Sequence, residues 1–201
     1  ARRMRASFAY VVKLATGARV IRDEDATLAR RFQTDQSGLE GDEFISLHLP
    51  PPRFILVGAV HIAQAILPIA RILGHDPIII DPRTGFATTA RFPDVQIYTD
   101  WPDRALPDLG LDTRTAVVTL SHEARIDDAA LVLALPSAAA YVGALGSKRT
   151  QEARATRLTA AGLKQADLSR LRAPVGLPIG ASTPSSACFC AVTSRNTTTK
   201  P

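Results

Sequence analysis

One stretch of the chain, residues 53–83, constrains the fold more than any other. It opens with an apolar run rich in β-forming residues, Phe54 to Val57, and passes through a turn at Gly58-Ala59. A helical repeat follows, with apolar residues on one stripe at Ile62, Ile66, Ile69 and Leu73. A second apolar run, Pro77 to Ile80, ends at Asp81. Strand, turn, helix and strand in this order predict a βαβ unit, and its wholly apolar strands predict a parallel sheet covered on both faces.

The turn after the first predicted strand carries a nucleotide-binding pattern with one departure. The segment Gly58-Ala59-Val60-His61-Ile62-Ala63 stands where a dinucleotide-binding fold has G-x-G-x-x-G/A. Asp81 follows about twenty residues later, where an acidic side chain usually meets a ribose hydroxyl. Val60 replaces the middle glycine, which normally lets a pyrophosphate approach the backbone. The pattern predicts a Rossmann-like unit, and it leaves open whether the turn holds a nucleotide-like ligand or none.

A proline-rich linker, Pro50-Pro51-Pro52, divides the chain. We expect a partial β-rich region at 1–50, a Rossmann-like domain at 51–184 and an irregular or disordered tail at 185–201. In the first region the pattern predicts a hairpin of 7–14 and 18–21, a helix from near Asp23, a loop at 35–41 and a strand at 43–49. Fifty residues of this kind bury little apolar surface alone, so we expect them to be part of a larger domain.

The alternation of strands and helices continues after residue 83. Strands are predicted at 96–99, 115–120 and 139–142, helices at 127–135, 148–161 and 165–171, and a short helix or turn at 103–109. The expected fold class is therefore α/β, a mostly parallel sheet with helices on both faces and a small β-rich N-terminal appendage.

The charge distribution argues against a nucleic-acid partner. The net charge is +5, but residues 1–31 carry all of it, and the remainder holds equal numbers of basic and acidic side chains. An aromatic content of 5% also offers few platforms for stacking bases. We therefore expect no nucleic-acid binding.

Two cysteines, Cys188 and Cys190, are too few for a disulfide framework and have no nearby histidine to suggest a metal site. The uncharged run from Ala129 to Gly146 has the length of a membrane span, but Pro136-Ser137 splits it into a helix end and a strand. With no secretory signal at the start, we expect a cytoplasmic protein without a membrane span.

Ligands in an open α/β sheet bind beyond the carboxyl ends of the strands. His61 follows the first strand and either points into the crevice or lies on the surface of the first helical turn. Asp81 and Arg83 follow the second strand, where Asp81 suits a hydroxyl and Arg83 suits a phosphate. The alternative for this pair is a local ion pair within the turn.

Two further strand ends carry polar groups. Ser121 and His122 follow the strand at 115–120, and the acidic residues Glu123, Asp127 and Asp128 could tune the histidine. The alternatives are a helix-capping serine and a plain surface histidine. The segment Gly146-Ser147-Lys148-Arg149 combines backbone N–H groups, a helix start, a hydroxyl and two cations, which suits an anion. Its alternative is a capping serine with two solvated cations.

No known catalytic motif stands at these strand ends. The chain has no G-x-S-x-G elbow, P-loop, H-E-x-x-H or C-x-x-C, and no evident nucleophile–base pair. We therefore expect a binding protein more than a turnover enzyme, with no catalytic residues and no metal ligands. The residues expected to bind a ligand are Gly58, Ala59, Val60, His61, Asp81, Arg83, His122, Gly146, Ser147, Lys148 and Arg149.

Seven segments, taken together, resemble the XdhC/CoxI family. They are VGAVHIAQAI, IIIDPR, ARFPD, VVTLSHE, YVGALGSKRT, RLTAAGL and LRAPVGLPIGASTP, which span residues 53–184 in the family's order. The resemblance implies an accessory protein for molybdenum hydroxylases such as xanthine dehydrogenase or carbon monoxide dehydrogenase. It implies binding of molybdenum cofactor, a pterin carrying a phosphate, with the apo-enzyme as partner. A cysteine desulfurase and a second copy of the chain are further possible partners.

The sequence departs from the family at both ends. The family's G-S-x-P-R and S-G-G-C-V-E motifs are absent, Pro178 replaces an aspartate, and Ser185-Ser186 replace an acidic pair. Two other functions remain open at this point, an NAD(P)-dependent oxidoreductase and an interaction scaffold. A pterin with one phosphate would not need the glycine that Val60 replaces.

Overall fold

The computed structural model describes residues 5–176, with the backbone alone at Lys148. The chain divides into two compact units, Ala1–Pro51 and Pro52–Pro201. The expected tail at 185–201 and both cysteines lie outside the described residues.

The first unit is a four-stranded antiparallel sheet with one helix. Its elements are β1 (Phe8–Lys13), β2 (Arg19–Arg22), α1 (Ala29–Thr34), β3 (Gly38–Glu40) and β4 (Glu43–His48). The strand order is β2-β1-β4-β3. Alternate residues of β1, Ala9 and Val11, are buried against Ile45 and against Leu28 and Phe32 beside and within α1. This period of two is what a sheet with one covered face requires.

Two predictions for this unit were wrong in detail. The helix begins at Ala29 instead of near Asp23, because the Asp25 carboxylate accepts the N–H groups of Thr27 and Leu28 and holds a turn there. The segment expected as a loop contains β3, which pairs with β4 in a tight hairpin. The strand has only three residues, two of which, Gly38 and Glu40, are uncommon in strands, so neither its length nor its composition indicates it.

The second unit is a six-stranded sheet in which every pairing is parallel. Its strands are β5 (Arg53–Val57), β6 (Asp76–Ile80), β7 (Gln96–Tyr98), β8 (Thr115–Thr119), β9 (Tyr141–Ala144) and β10 (Leu171–Arg172). Its helices are α2 (His61–Ile72), α3 (Pro102–Leu109), α4 (Ala124–Ala134), α5 (Lys148–Ala160) and α6 (Gln165–Leu168). The strand order is β10-β9-β8-β5-β6-β7.

Helices cover both faces of this sheet. The α2 helix packs on one face, in a cluster that includes Ile66 and Phe92. The α3, α4 and α5 helices pack on the other face, where Leu106, Ile126 and Leu158 are buried. Because both faces are covered, β5 and β8 are buried at every position. The predicted fold class is confirmed.

Several predicted boundaries in this unit were wrong. The expected apolar stripe of α2 included Leu73, which is 45% exposed, because the helix ends at Ile72 and the chain turns beyond it. The α4 helix begins three residues earlier than expected, at Ala124. The end of the helix expected at 165–171 is instead the short strand β10.

Strand β9 is shifted by two residues, since it was expected at 139–142 and lies at Tyr141–Ala144. Its register pairs Tyr141 with Ala116, so the ladder continues through Gly143 instead of ending there. A Cβ added to Gly143 would lie 2.9 Å from a methyl carbon of Val175, so the missing side chain makes room for that residue. Glycine is depleted in strands, and here close packing overrides that preference.

None of the helices within residues 5–176 is long and apolar enough to cross a membrane.

Candidate functional site

The strand order creates a crevice between the carboxyl ends of β5 and β8. The chain runs outward from β5 through β6 to β7 and then returns to place β8 on the other side of β5. Such a reversal separates the loops that follow the two neighbouring strands, and ligands of α/β proteins bind there.

Gly58 forms the floor of this crevice. Its φ of +116° is one that side-chain-bearing residues rarely adopt, and an added Cβ would lie 2.7 Å from the backbone nitrogen of Ser121. The end of β5 and the loop after β8 therefore approach each other more closely than any other residue at position 58 would permit.

Asp81 at the end of β6 is fully buried and holds the turn after β5. Its Oδ2 accepts the Ala59 N–H at 2.7 Å and Arg83 Nη2 at 2.7 Å. Its Oδ1 accepts the Arg83 backbone N–H at 3.0 Å and Arg83 Nε at 2.9 Å. Four hydrogen bonds fill the acceptor positions of a carboxylate. The local ion pair that the sequence left as an alternative is what the structure shows.

Burial alone would raise the pKa of Asp81, but the hydrogen bonds from Arg83 and Ala59 lower it overall. The same hydrogen bond to Asp81 raises the pKa of Arg83. Both groups are therefore charged at neutral pH, and the pair is an ionic contact inside the turn.

Arg83 also reaches across the crevice. Its Nη1 lies 3.5 Å from Glu123 Oε2 in the loop after β8, and its guanidinium carbon lies 4.7 Å from the centre of the Phe86 ring. Because β5 lies between β6 and β8, this ion pair bridges the loops on either side of the Gly58 turn. A phosphate that bound Arg83 at this position would compete with the Glu123 carboxylate.

The residues after Gly58 begin helix α2. Val60 is its N-cap in extended conformation and contributes no side-chain hydrogen bond, and His61 is exposed at the first helical position. Of the two positions considered for His61, the surface of the first helical turn is therefore the one observed. The Ala59 carbonyl accepts Arg91 Nη1 at 2.9 Å. Arg91 could not be identified from a sequence pattern, because this contact depends on the fold of the loop after Arg83.

A buried polar network lies beneath the loop after β8. Asp127 Oδ1 accepts both the hydroxyl of Ser121 at 2.6 Å and its backbone N–H at 3.2 Å. Arg154 of α5, only 2% exposed, donates to Asp127 Oδ2 at 3.3 Å and to the Leu145 carbonyl at 3.1 Å. Ser121 accordingly fixes its own loop and is not the N-cap of α4, which is Glu123. The network joins the loops after β8 and β9.

Burial sets the direction of both pKa shifts in this network. It raises the pKa of Asp127, against the opposing effects of the Ser121 hydrogen bond and the Arg154 charge. It lowers the pKa of Arg154, against the attraction of Asp127. Arg154 was missed from the sequence, although its spacing of four residues from the buried Leu158 places it on the inner face of α5.

His122 is exposed in the same loop and adopts a φ of +60°, the left-handed region. For a residue with a side chain this conformation costs about 1–2 kcal/mol. The Ser121 contacts on one side and the N-cap Glu123 on the other hold the chain in this shape. Strain of this kind is concentrated at functional sites, and it directs the imidazole toward solvent at the crevice rim.

The predicted anion site lies after β9. Ser147 is the N-cap of α5, and its Oγ accepts the Thr150 N–H at 3.3 Å. Gly146 has a φ of +139°, and an added Cβ would lie 2.9 Å from Nε2 of Gln151. Arg149 is exposed at the second helical position, and no carboxylate pairs with it in the part of the chain that the structure describes.

The structure brings the predicted residues to one edge of the sheet. The four turns follow β9, β8, β5 and β6, which are consecutive neighbours. With strands about 4.8 Å apart, the Gly146 turn lies about 10 Å from the Gly58 turn. Their common position agrees with the sequence analysis, and their role in binding stays a prediction.

The strand order, the reversal of direction at β5 and the glycine turn after β5 define a Rossmann-type domain. The family described as the XdhC Rossmann domain matches residues 54–192, and this chain belongs to that family. The resemblance inferred from the sequence is confirmed.

Two relatives illustrate the extent of the match. The chain is 31% identical over 141 residues to the uncharacterized protein YqeB of Escherichia coli (strain K12), which covers 70% of this chain and 26% of that protein. A crystal structure described as a xanthine dehydrogenase from Bacillus halodurans matches with a TM-score of 0.69 and 24% identity, covering 95% of this chain and 61% of the other. The chain thus spans about a quarter of the first relative and under two thirds of the second, and the second match supports the fold alone.

Proposed function

We propose that this chain binds molybdenum cofactor and acts as an accessory protein in the maturation of a molybdenum hydroxylase such as xanthine dehydrogenase or carbon monoxide dehydrogenase. Membership of the XdhC Rossmann domain family supports the accessory role. The observation that carries the ligand is the Gly146-Ser147 turn, which opens helix α5 at the same sheet edge as the crevice. The apo-enzyme would receive the cofactor, and a cysteine desulfurase is a further proposed partner.

The residues at this turn fit the phosphate of such a cofactor. A Cβ at position 146 would fill the space beside Nε2 of Gln151, a buried donor for which no partner was found within residues 5–176. The N-terminus of the 13-residue helix α5 lies at the same turn, and its partial positive charge favours an anion. Arg149 adds a formal positive charge. Gly146, Ser147 and Arg149 would hold the phosphate, and the exposed His122 would lie beside the ring system.

The same crevice fits a dinucleotide less well. A dinucleotide site presents a carboxylate to the ribose hydroxyls, but all acceptor positions of Asp81 are already occupied by Ala59 and Arg83. Val60 also places a branched side chain where the pyrophosphate would approach. For these two reasons, the site supports an NAD(P)-dependent oxidoreductase less well than a protein that binds molybdenum cofactor.

Equilibrium binding of isolated molybdenum cofactor, measured under anaerobic conditions, tests the proposal. We expect saturable binding to the wild-type chain and about tenfold weaker binding to Arg149→Glu, since the variant exchanges an attractive charge near the phosphate for a repulsive one. Lys164→Glu is the matched control. It makes the same change in net charge beyond the other end of α5, about 20 Å away along the helix axis, and should leave the affinity unchanged.

Two results would overturn the proposal. The first is equal binding of the cofactor by wild type and Arg149→Glu, which would place the phosphate elsewhere. The second is tight binding of NAD(P) together with no binding of the cofactor, which would establish the oxidoreductase alternative. A transfer assay with a cofactor-free molybdenum hydroxylase then tests delivery, and the expected outcome is faster activation when the loaded chain supplies the cofactor.

A further inference from the structure

A second cleft lies between the N-terminal turns of α3 and α4. Its volume is about 480 Å³, and its lining residues are Trp101, Asp103, Arg104, Arg125 and Ala129. This volume is within the range of small-molecule sites, roughly 300–1,000 Å³. None of these residues belongs to the crevice or to the anion turn.

Trp101 gives the cleft a flat aromatic wall. It immediately precedes α3 and is partly buried against the cluster beneath α3 and α4. The guanidinium carbon of Arg125 lies 4.5 Å from the centre of the indole ring, the geometry of a cation–π contact. The guanidinium lies over the indole ring, and a planar ligand can stack on the pair.

The cleft is positively charged. Arg104 and Arg125 are both exposed, and neither pairs with a carboxylate anywhere in residues 5–176. Asp103 contributes one negative charge in the first turn of α3, where the helix dipole stabilises it. Two guanidinium groups against one carboxylate leave a net charge of +1 among the lining residues, and each guanidinium can bind an anion through two parallel hydrogen bonds.

We propose that this cleft binds a planar heterocycle that carries a negative charge, with the ring stacked on the Trp101–Arg125 pair and the anionic group held by Arg104. The flat wall selects the ring, and the unpaired guanidinium groups select the charge. A neutral ring would gain only stacking, and a bare anion would gain only hydrogen bonds. This site is separate from the anion turn at Gly146, and the proposal for it does not depend on the binding of molybdenum cofactor.

The chain contains one tryptophan, so intrinsic fluorescence reports on this cleft directly. Four probes separate the requirements: adenosine monophosphate and pterin-6-carboxylate carry a ring and a charge, adenosine carries only a ring, and inorganic phosphate carries only a charge. We expect saturable quenching by the first two and weak or no saturation by the last two. Comparison of the two charged rings distinguishes a nucleotide from a pterin. A free tryptophan amide, titrated in parallel, corrects for absorption by the probes.

Substitutions of the residues that line the cleft test whether the probes bind there. Arg125→Ala should weaken both charged probes by about tenfold, because it removes a stacking surface and a cation. Arg104→Ala should weaken them several-fold and leave adenosine unchanged. Lys164→Ala removes one positive charge outside the cleft and serves as control. Because Trp101→Phe removes the signal, its binding is followed by calorimetry, where the remaining aromatic ring should preserve most of the affinity.

Three outcomes would overturn the proposal. One is no saturable response to either charged ring. Another is equal affinity of Arg125→Ala and wild type, with Arg125→Gln as a second variant if the alanine form does not fold. The third is equal binding of inorganic phosphate and adenosine monophosphate, which would make the cleft a simple anion site without ring recognition. Loss of molybdenum-cofactor binding in Arg149→Glu has no bearing on these results.

Discussion

Replacing Arg154 by methionine should destabilise the second unit strongly at neutral pH. The side chain is 2% exposed and donates to Asp127, to the Leu145 carbonyl and to Gln151 Oε1. Methionine is of similar length but donates nothing. Asp127 is 0% exposed, so its charge would remain buried with only the two donors of Ser121.

The magnitude follows from these contacts. Removing one partner of a buried ion pair costs about 3–5 kcal/mol, because the other charge stays buried without compensation. The lost hydrogen bond to the Leu145 carbonyl adds to this cost, since an unsatisfied buried acceptor costs about 1–3 kcal/mol. Such a loss is a large part of the total stability of a domain, which is typically about 5–15 kcal/mol.

The deficit should also depend on pH. Burial already raises the pKa of Asp127 in the wild-type chain, and loss of the Arg154 charge would raise this pKa further. The native variant then binds a proton at a pH where the unfolded carboxyl, with an ordinary pKa of about 4, has released it. Protonation removes the buried charge, so the deficit relative to wild type should shrink as the pH falls from about 7 to about 5.

Urea unfolding followed by circular dichroism at both pH values measures these effects. Asp127→Asn in the Arg154→Met background should recover part of the loss, because an uncharged amide replaces the buried carboxylate. Arg157→Met is the matched control on the same helix. Its partner is Asp128 in a partly exposed ion pair, so it should cost less than about 1 kcal/mol. A cost below about 1 kcal/mol for Arg154→Met, or a deficit independent of pH, would refute the reasoning.

Two further predictions concern the crevice. Gly58→Ala should destabilise the second unit by about 3 kcal/mol or more, because it combines an unfavourable φ with a Cβ placed against the Ser121 backbone, and urea unfolding measures the loss. Asp81→Asn should flatten the acid limb of the stability curve. The lowered pKa of Asp81 means that the ionised form contributes stability above about pH 4 that is lost as the pH falls through this pKa, and asparagine has no such titration. A wild-type acid limb as flat as that of the variant would contradict this.

Hydrophobic pattern alone predicted the architecture of the second unit. The strands β5, β6 and β8 each contain a run of at least three apolar residues, and such runs occur where both faces of a sheet are covered. The short strands β3 and β10 could not be found in this way. They contain three and two residues, and they exist only because β4 and β9 offer partners for their backbone groups.

The position of the candidate site could be predicted from the sequence, but the contacts of its residues could not. The strand ends indicated where Gly58, Asp81, Ser121 and Gly146 would meet, because the carboxyl ends of parallel strands share one edge. The partners of these residues were not predictable. Asp81 occurs two residues before Arg83 in the sequence, yet only the fold shows that the Ala59 N–H occupies the carboxylate as well.

The cleft beside Trp101 could not be seen in the sequence at all. Trp101 and Arg125 are separated by 24 positions, and they meet because α3 and α4 pack on the same face of the sheet. Residues that contact through helix packing leave no local pattern, whereas residues at strand ends do.

The glycine pattern after β5 separates into two physical roles, and this chain keeps only one of them. The first glycine of the pattern, Gly58, allows the loop after β8 to approach. The last position, Ala63, is 0% exposed and allows α2 to pack closely on the sheet. Only the middle position serves a ligand, and there Val60 stands instead. Because the packing positions are small and the ligand position is not, the pattern here is a requirement of the fold. The proposed anionic ligand would therefore use donors elsewhere on the edge, at the Gly146 turn.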